Sequence, residues 1–503
     1  METNKTVIKL ERHEWPDEKQ ERLKREKKLK KQKRLNNFKI ILVLVCGLLI
    51  GAIFGYNYGN QNIIIDASND NSKIDAVRSI MENDWFFADQ ENDLATQLED
   101  KALYGMSQFT DVDKHTTYFT AAEAESFTTS INMNYTGIGV QYTTGDVNIV
   151  AKVFADSPAE KAGIQVGDIL ETVDGVSLTD KTSDEIKELV TGVKGTEVTI
   201  GVRRLNEYLE LTAVRDDIEN TAFGYMIDDD TAYLEIYSFG ASTYEEAKTY
   251  LQKFQAEGMK NLLLDLRDDG GGYLTSVKNI AGLFLDSDAI VINQISADGS
   301  SLITYADGDK IEGINGITIL VNGNTASAAE VLTLALKEQR DDVTLVGEQT
   351  YGKGTVQVTK SFSDGSALKY TNSKWESSKG VWVNGVGITP DVVIAPQDIL
   401  AESLLNYSDG EADTYAVDSV SGYVKVVQDA LDFLGYQPDR TDGYFSENTM
   451  QVLKTYQSAN NLDATGIIDE DTYYSLISDV KFLWASDYNY DNQIQACLEI
   501  LNA

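Results

Sequence analysis

Residues 317–339 read ITILVNGNTASAAEVLTLALKEQ, and this stretch decides the fold. Residues 317–321 are a short β-branched run, 322–325 have turn composition, and 326–339 form an amphipathic stretch of good helix formers. The result is a strand-turn-helix unit with Ser327 at the start of the helix. A second such unit lies upstream. There the apolar run 261–266 passes through Arg267-Asp268-Asp269 into Gly270-Gly271-Gly272, followed by an apolar-periodic helix expected over 273–285. With an alternating strand at 231–239 and an amphipathic helix at 242–257, the pattern predicts an α/β core whose chemistry gathers at strand ends.

A serine at a helix start meets free backbone N–H groups and the positive end of the helix dipole, so the Ala328 amide is placed to serve an oxyanion. The glycine turn after Asp269 is a second place where backbone N–H groups can meet an anion. Taken alone, Ser327 reads more simply as an N-cap. The chain has two histidines, His13 and His115, and neither is near this turn in sequence, so serine chemistry needs another base. Lys353, between Gly352 and Gly354, supplies one. It can act only when neutral, which requires its ordinary pKa of about 10.4 to fall through burial. Flanking glycines let backbone pack closely around it, and 343–346 and 355–358 read as buried strands. The plainer alternative is an exposed loop lysine. Gly347, four residues, then Gly352-Lys353 also share the frame of a nucleotide-binding Walker A loop. That frame ends in Gly354 where a magnesium-ligating Ser or Thr is needed, and a strand pattern follows where a helix should start.

At this point a family resemblance is carried by four segments in order: Leu264-Asp265-Leu266-Arg267 to Gly272, Thr325-Ala326-Ser327-Ala328, Gly347-Glu348 to Gly354, and Gly385-Val386-Gly387-Ile388-Thr389-Pro390-Asp391. Together they resemble the carboxyl-terminal processing peptidases, Ser-Lys proteases of the S41 type with an embedded PDZ domain, over roughly residues 75–400. The resemblance implies Ser327 as nucleophile, Lys353 as general base, Gln357 as the residue that positions the lysine amine, and Ala328, Gly271 and Gly272 as oxyanion donors. Where the family often has a second serine, this chain has Ala329. Asp268 and Asp269 stand where asparagines are more usual.

Residues 131–210 have the strand and helix pattern of a PDZ domain, with five turn signals in register: Gly137-Ile138-Gly139-Val140, Asp156-Ser157-Pro158-Ala159, Gly163-Ile164, Gly167-Asp168 and Asp174-Gly175. In such domains the Gly137 to Val140 loop would offer backbone N–H groups to the terminal carboxylate of a peptide, and the next strand would pair with it. Residues 73–130 read as an N-terminal helical region in which His115 is structural. Residues 211–410 read as the protease core. Residues 420–478 resemble the small helical peptidoglycan-binding domain, with Asp442-Gly443 and, in place of a second Asp-Gly, Thr465-Gly466. This module is expected to stand apart from the dyad. Residues 480–503 read as a terminal helix that returns to the protease, and the resemblance suggests a part in dimerisation.

The first 39 residues hold 14 Lys/Arg and 7 Asp/Glu, and residues 40–58 are mostly apolar and uncharged. This reads as a cytoplasmic basic segment followed by one transmembrane helix, with 59–72 as a polar linker and the remainder outside the cytoplasm. Of the whole-chain charge of −37, the first 39 residues contribute +7, which leaves −44 on the rest. That charge excludes nucleic acid as a partner. Beyond Cys46, within the apolar run, only Cys497 is left, so no intramolecular disulfide can form outside the membrane. No metal-ligand spacing is present and no cofactor is called for. The expected fold is therefore an α/β protease core with an inserted PDZ domain, an N-terminal transmembrane helix and a small helical C-terminal domain. The expected activity is that of a membrane-anchored serine endopeptidase cleaving proteins captured by their free C-termini, with a homodimer and peptidoglycan as further associations. The rival expectation, from another class, is a catalytically silent PDZ and cell-wall-binding scaffold.

Overall fold

The computed structural model describes residues 72–503, except 110, 133–134, 144–146, 180, 205–206, 219–220, 402–404, 408–409 and 411–413. The basic segment, the apolar run 40–58 and nearly all of the linker lie outside the described residues. Among those described, no helix is long and apolar enough to cross a membrane. The chain divides at Glu99 into two units. In the first, helix Ser72–Asn83 and the short 3-10 turn Ala88–Gln90 are described.

The second unit is organised around a six-stranded sheet in the order Ala222–Met226, Thr231–Ile236, Asn261–Asp265, Gly316–Val321, Val343–Gly347 and Val392–Val393. The first pair is antiparallel and every later pairing is parallel. Parallel pairing needs crossovers, and the helices Thr243–Glu257, Leu274–Ala281 and Ala328–Gln339 supply them. The strands are apolar on both faces, as a sheet covered on both sides requires. Leu262 and Leu264 enter the core under these helices, whereas Leu263, Leu320 and Val346 turn to the other face. There the terminal helix Asn492–Leu501 covers them with Ile494 and Cys497, each fully buried apolar side chain contributing about 1.5–3 kcal/mol. The same alternation puts Asp265 on the terminal-helix face. Because the strands are parallel, Asp265, Val321 and Gly347 all end at one edge, and the three loops that follow them form the site.

A second sheet stands beside this edge. Strand Ala367–Glu376 pairs with Thr117–Phe119, Thr355–Ser361 and Ile290–Ser296, which pairs in turn with Ser301–Tyr305. Strand Thr117–Phe119 lies in a region read from sequence as helical. The sequence reading also made 355–358 a buried strand, yet only Val356 is buried in Thr355–Ser361, because its other face is the wall of an open cleft. Two helix starts and one end move as well: 273–285 contracts to Leu274–Ala281, and 326–339 begins at Ala328.

The PDZ-like unit is a six-stranded sheet running from Val140–Tyr142 to Glu207–Val214, with helix Ser183–Val190 held by a capping box between Thr182 and Glu185. Its limits are wider than 131–210, since Tyr135–Gly137 pairs with Asp216–Ile218. The C-terminal module has helices Gly422–Phe433, Glu447–Ala459 and Glu470–Ser486. Two buried glutamines repeat one device. Gln428 accepts from the Gly443 N–H at 2.9 Å and donates to Thr449, and Gln457 accepts from the Gly466 N–H at 2.8 Å and donates to Thr472. Each thereby pins a left-handed glycine turn to the helix that follows it. Thr465 in place of Asp leaves this device intact.

One expectation for the C-terminal region is corrected. The boundary at 478–480 falls inside Glu470–Ser486, and a turn at Tyr488–Tyr490 separates that helix from the terminal one. The module also packs against the PDZ-like unit. Its core includes Ile149 and Ile169 of the PDZ-like unit, Ser478 Oγ donates to the Gly167 carbonyl at 2.5 Å, and Asp471 pairs with Arg203 at 3.2 Å.

Candidate active site

Ser327 opens helix Ala328–Gln339 with φ 57° and ψ −115°, a conformation normal for glycine in a tight turn and strained by about 1–3 kcal/mol in other residues. Ordinary capping residues of this chain, such as Ser157 and Thr182, sit extended at φ near −70°. Ser327 therefore occupies the N-cap position, with the Glu330 carboxylate on its N–H, but in a backbone conformation unlike that of an ordinary cap. The strained turn is held from beneath by Asp269, whose carbonyl accepts the Ala326 N–H at 2.9 Å, and by Thr325, whose hydroxyl donates to the Leu266 carbonyl at 2.7 Å.

Glu330, one turn into the helix and fully buried, ties this serine to the lysine loop. Its carboxyl oxygens accept from the N–H groups of Ser327, Lys353 and Gly352 at 2.9, 2.8 and 2.8 Å and from Thr350 Oγ1 at 2.6 Å. The Lys353 carbonyl accepts from the Trp375 indole at 2.8 Å, so the lysine is fixed on both sides of its Cα. The flanking glycines are explained by close approach. A Cβ on Gly352 would stand 2.6 Å from Gly387 N, and one on Gly354 would stand 2.5 Å from the Trp382 indole nitrogen. The loop containing Gly385-Val386-Gly387 is thus the lid packed over the lysine backbone.

The Lys353 side chain is largely buried and makes no ion pair or hydrogen bond among the described residues. Burial first, then the positive charge of Lys369, pulls its pKa below the usual lysine range, against the opposing effect of Glu330. Lys369 lies against the stacked rings of Phe119 and Phe127, 5.1 and 4.6 Å from their centroids, and its pKa is itself depressed by burial. His115 is held below its ordinary value by burial and by the charges of Lys353 and Lys114. It therefore stands within electrostatic reach of the lysine, which its sequence position did not indicate. Gln357 donates to Thr355 Oγ1 at 2.9 Å and to Thr371 Oγ1 at 3.1 Å, which leaves its carbonyl oxygen as the group available to an amine.

Ser327, Lys353, Gln357, Lys369, Gly271 and Gly272 line one cavity of about 810 Å³. The glycine loop approaches the serine so closely that a Cβ on Gly271 would lie 2.8 Å from Ser327 Cβ and 2.9 Å from Ala328 N. The expectation for Gly271 as an oxyanion donor is corrected, because its N–H is donated 2.7 Å to Asp269 Oδ1. Ala328, first in its helix, has no intrahelical acceptor for its N–H, and with Gly272 it remains a candidate donor. Asp269 is fully buried and its Oδ2 has no hydrogen-bond partner among the described residues. Complete burial pushes its pKa well above the usual carboxyl range, which favours the protonated form, close in shape to the asparagine more usual there.

Gly137, Ile138, Gly139 and Val140 line a second cavity of about 400 Å³, bounded on the other side by Ser183, Lys187 and Val190. Gly139 has φ 82° and packs on Ser157, where a Cβ would come within 2.5 Å. The two cavities are adjacent and share Ser130, Tyr135, Val140 and Gln141 in their walls. No group of His, Cys, Asp or Glu that could hold a metal is present among the described residues.

Sequence reasoning missed Glu330, Lys369 and the burial of Asp269. Glu330 had a signal, the Ser-x-x-Glu spacing of a capping box. Lys369 had none, since only the second sheet brings it to the cleft. The Gly347 to Lys353 segment leads into a strand, which disposes of the nucleotide-loop alternative.

Residues 230–394 match the model of peptidase family S41, residues 149–204 that of the PDZ domain and residues 421–476 that of a peptidoglycan binding domain. The carboxy-terminal processing protease CtpA of Bacillus subtilis is 31% identical over 469 residues, covering 92% of this chain and 97% of that protein. A CtpA-like serine protease of Staphylococcus haemolyticus is 30% identical, covering 86% of each. Among solved structures, the photosystem II D1 C-terminal processing protease matches 63% of this chain and 88% of its own at 25% identity, with a TM-score of 0.40.

Proposed function

The chain belongs to peptidase family S41, among its carboxy-terminal processing proteases, and on that premise we propose that it hydrolyses peptide bonds through Ser327 and Lys353. The neutral Lys353 amine takes the Ser327 hydroxyl proton as Oγ attacks the substrate carbonyl. The N–H groups of Ala328 and Gly272 meet the oxyanion of the tetrahedral intermediate. Collapse of that intermediate forms the acyl-enzyme, and the leaving amine takes its proton from the lysine ammonium. Water, deprotonated by the same lysine, then attacks the ester and frees Ser327. Gln357 steadies the amine through its carbonyl oxygen.

The observation that carries this reading is Glu330, one carboxyl that accepts hydrogen bonds from the backbones of both proposed catalytic residues and so fixes their separation. Ser327→Ala should abolish hydrolysis of an unfolded protein. Lys353→Arg should do the same although it keeps the positive charge, because guanidinium cannot give up its proton. Normal turnover by the arginine variant would exclude the dyad.

The adjacency of the two cavities supports capture of a substrate tail by Gly137 to Val140 and its delivery to Ser327. Amidating the terminal carboxylate of a tail substrate should then slow its cleavage. The pattern of residues 1–58 supports a single membrane anchor with the basic leader in the cytoplasm and the peptidase outside. External protease should shave the catalytic region from intact wall-stripped cells and spare the leader. Peptidoglycan, through residues 421–476, and a second copy of the chain complete the proposed partners, checked by sedimentation with isolated wall and by sedimentation velocity.

A further inference from the structure

Arg267 lies in the turn that follows strand Asn261–Asp265 and leads to Gly271 and Gly272, and its guanidinium is fully engaged in fixing that point. One edge chelates Asp265, with Nε 3.0 Å from both carboxylate oxygens and Nη2 2.6 Å from Oδ2. Asp265 also accepts from the Arg267 backbone N–H at 3.0 Å and from the Tyr233 hydroxyl at 2.9 Å. The other edge leaves the protease strands altogether. Nη1 donates to Asp491 Oδ2 at 2.8 Å and to Gln493 Oε1 at 2.9 Å, residues 224 and 226 positions further along the chain.

Asp491 is buried and does two jobs. Its Oδ1 caps the terminal helix by accepting from the N–H groups of Gln493 and Ile494 at 2.9 and 3.0 Å, while its Oδ2 holds the arginine. The helix is anchored in turn to the chain leaving the core, through Gln493 Nε2 on the Ile394 carbonyl and Asn492 Nδ2 on the Ala395 carbonyl, both at 2.8 Å. Three residues separate Arg267 from Gly271, and they have little slack. Asp268 is at φ 61° and is bonded through its N–H and Oδ1 to Asn322, while Asp269 is buried and Gly271 rests on Ser327. Charged, forked hydrogen bonds have defined geometry, and oxyanion donors lose their effect when displaced by fractions of an ångström.

We propose that Asp491 is a positioning residue of the peptidase site, holding the oxyanion loop in place through Arg267, so that the terminal helix is part of the active-site scaffold. The inference rests on the reading of Ser327 and the glycine loop given above. Asp491→Asn keeps one oxygen for the helix cap and loses the second acceptor for Arg267. The full-length chain is used in a Cys46→Ser background, in which Cys497, buried on the sheet-facing side of the terminal helix, is the remaining thiol and reports undocking by its reaction with a maleimide.

The expected result for Asp491→Asn is a fall in kcat of about tenfold or more, a KM within about twofold of the parent, and Cys497 as protected as before. Gln493→Leu, which removes the second acceptor of Nη1 and spares the cap, should lower kcat in the same direction by a few-fold. Asn492→Ala weakens the anchoring of the helix without touching Arg267 and should leave kcat unchanged. The inference is overturned if Asp491→Asn turns over at the parent rate. It is equally overturned if the loss comes with maleimide access and Asn492→Ala reproduces it, since helix docking would then be the whole effect. Failure of the functional reading looks different: the parent itself would be inactive, or Ser327→Ala would match it.

Discussion

Glu330 and Lys353 meet through the main chain, the lysine N–H donating 2.8 Å to the same Glu330 oxygen that accepts 2.9 Å from the Ser327 N–H. One oxygen atom thus sets the spacing of two backbones that are 26 residues apart in sequence. The other oxygen holds Gly352 and Thr350, and Thr350 Oγ1 accepts from the Ile388 N–H at 2.7 Å, which brings the lid loop into the same network.

Glu330→Gln should be costly despite its small change in shape. An amide has one acceptor oxygen, so about two of the four buried donors lose their partner and face an NH2 group instead, at about 1–3 kcal/mol each. The misplacement of serine against lysine should lower kcat/KM by about 100-fold. Thermal unfolding and peptide hydrolysis read the two effects separately, and full activity with a lowered melting temperature would reduce Glu330 to a stabilising residue.

The pH profile follows from the direction of the Lys353 shift. Its folded pKa lies below the usual lysine value because of burial and the Lys369 charge, so activity should rise with pH through that lowered value as the amine becomes neutral. The stability cost of the buried ammonium is present below the folded pKa and is relieved as pH rises from there towards about 10.4. Lys369→Met removes the neighbouring like charge and should move the rising limb of kcat/KM to higher pH. A shift to lower pH, or none, would show that Lys369 does not tune the base.

The core was legible in residues 261–339 because parallel strands buried on both faces write continuous apolar runs, and strand-end turns write glycine and asparagine. Ser327, Lys353 and the glycine turn could be found because each needs an unusual local residue pattern. Strand Thr117–Phe119 could not, since three residues carry no period. The junction between the C-terminal module and the PDZ-like unit was equally hidden: Ile149, Ile169 and Gly167 read as ordinary interior and turn residues of their own domain. Arg267 and Asp491 could be paired only once the fold had placed the terminal helix on the far face of the sheet.

Asp269→Asn should be active and, above mildly acidic pH, more stable than the parent. The folded pKa of Asp269 is raised by complete burial, with a smaller contribution from Glu235 and opposition from the Gly271 hydrogen bond and Lys152. For such a group, stability is complete below the unfolded value of about 3.9 and is lost as pH rises towards the folded value. The asparagine never ionises and keeps an oxygen for the Gly271 N–H. Its gain in melting temperature should therefore be absent near pH 4 and largest at alkaline pH. A constant gain at all pH values would mean that titration of Asp269 is not the cause.

The contact of the C-terminal module with the PDZ-like unit predicts an effect on substrates that use the tail groove. Gly167 lies at φ 88°, and a Cβ there would come 2.6 Å from the Ser478 carbonyl oxygen and 2.9 Å from Phe482 Cβ. Asparagine tolerates left-handed backbone, so Gly167→Asn puts most of its cost on the module contact and little on the turn itself. Backbone hydrogen exchange should quicken in Glu470–Ser486 and in the facing strand Ile169–Val173, which shares the Ile149 and Ile169 core with the module. Once the PDZ-like unit loses this support, KM for a substrate with a free C-terminal tail should rise several-fold, while kcat on a short peptide that reaches only the Ser327 cleft should stay within about twofold of the parent. Equal effects on both substrates would place the contact in the general stability of the chain, and unchanged exchange in Glu470–Ser486 would show that the module does not depend on Gly167 for its seat.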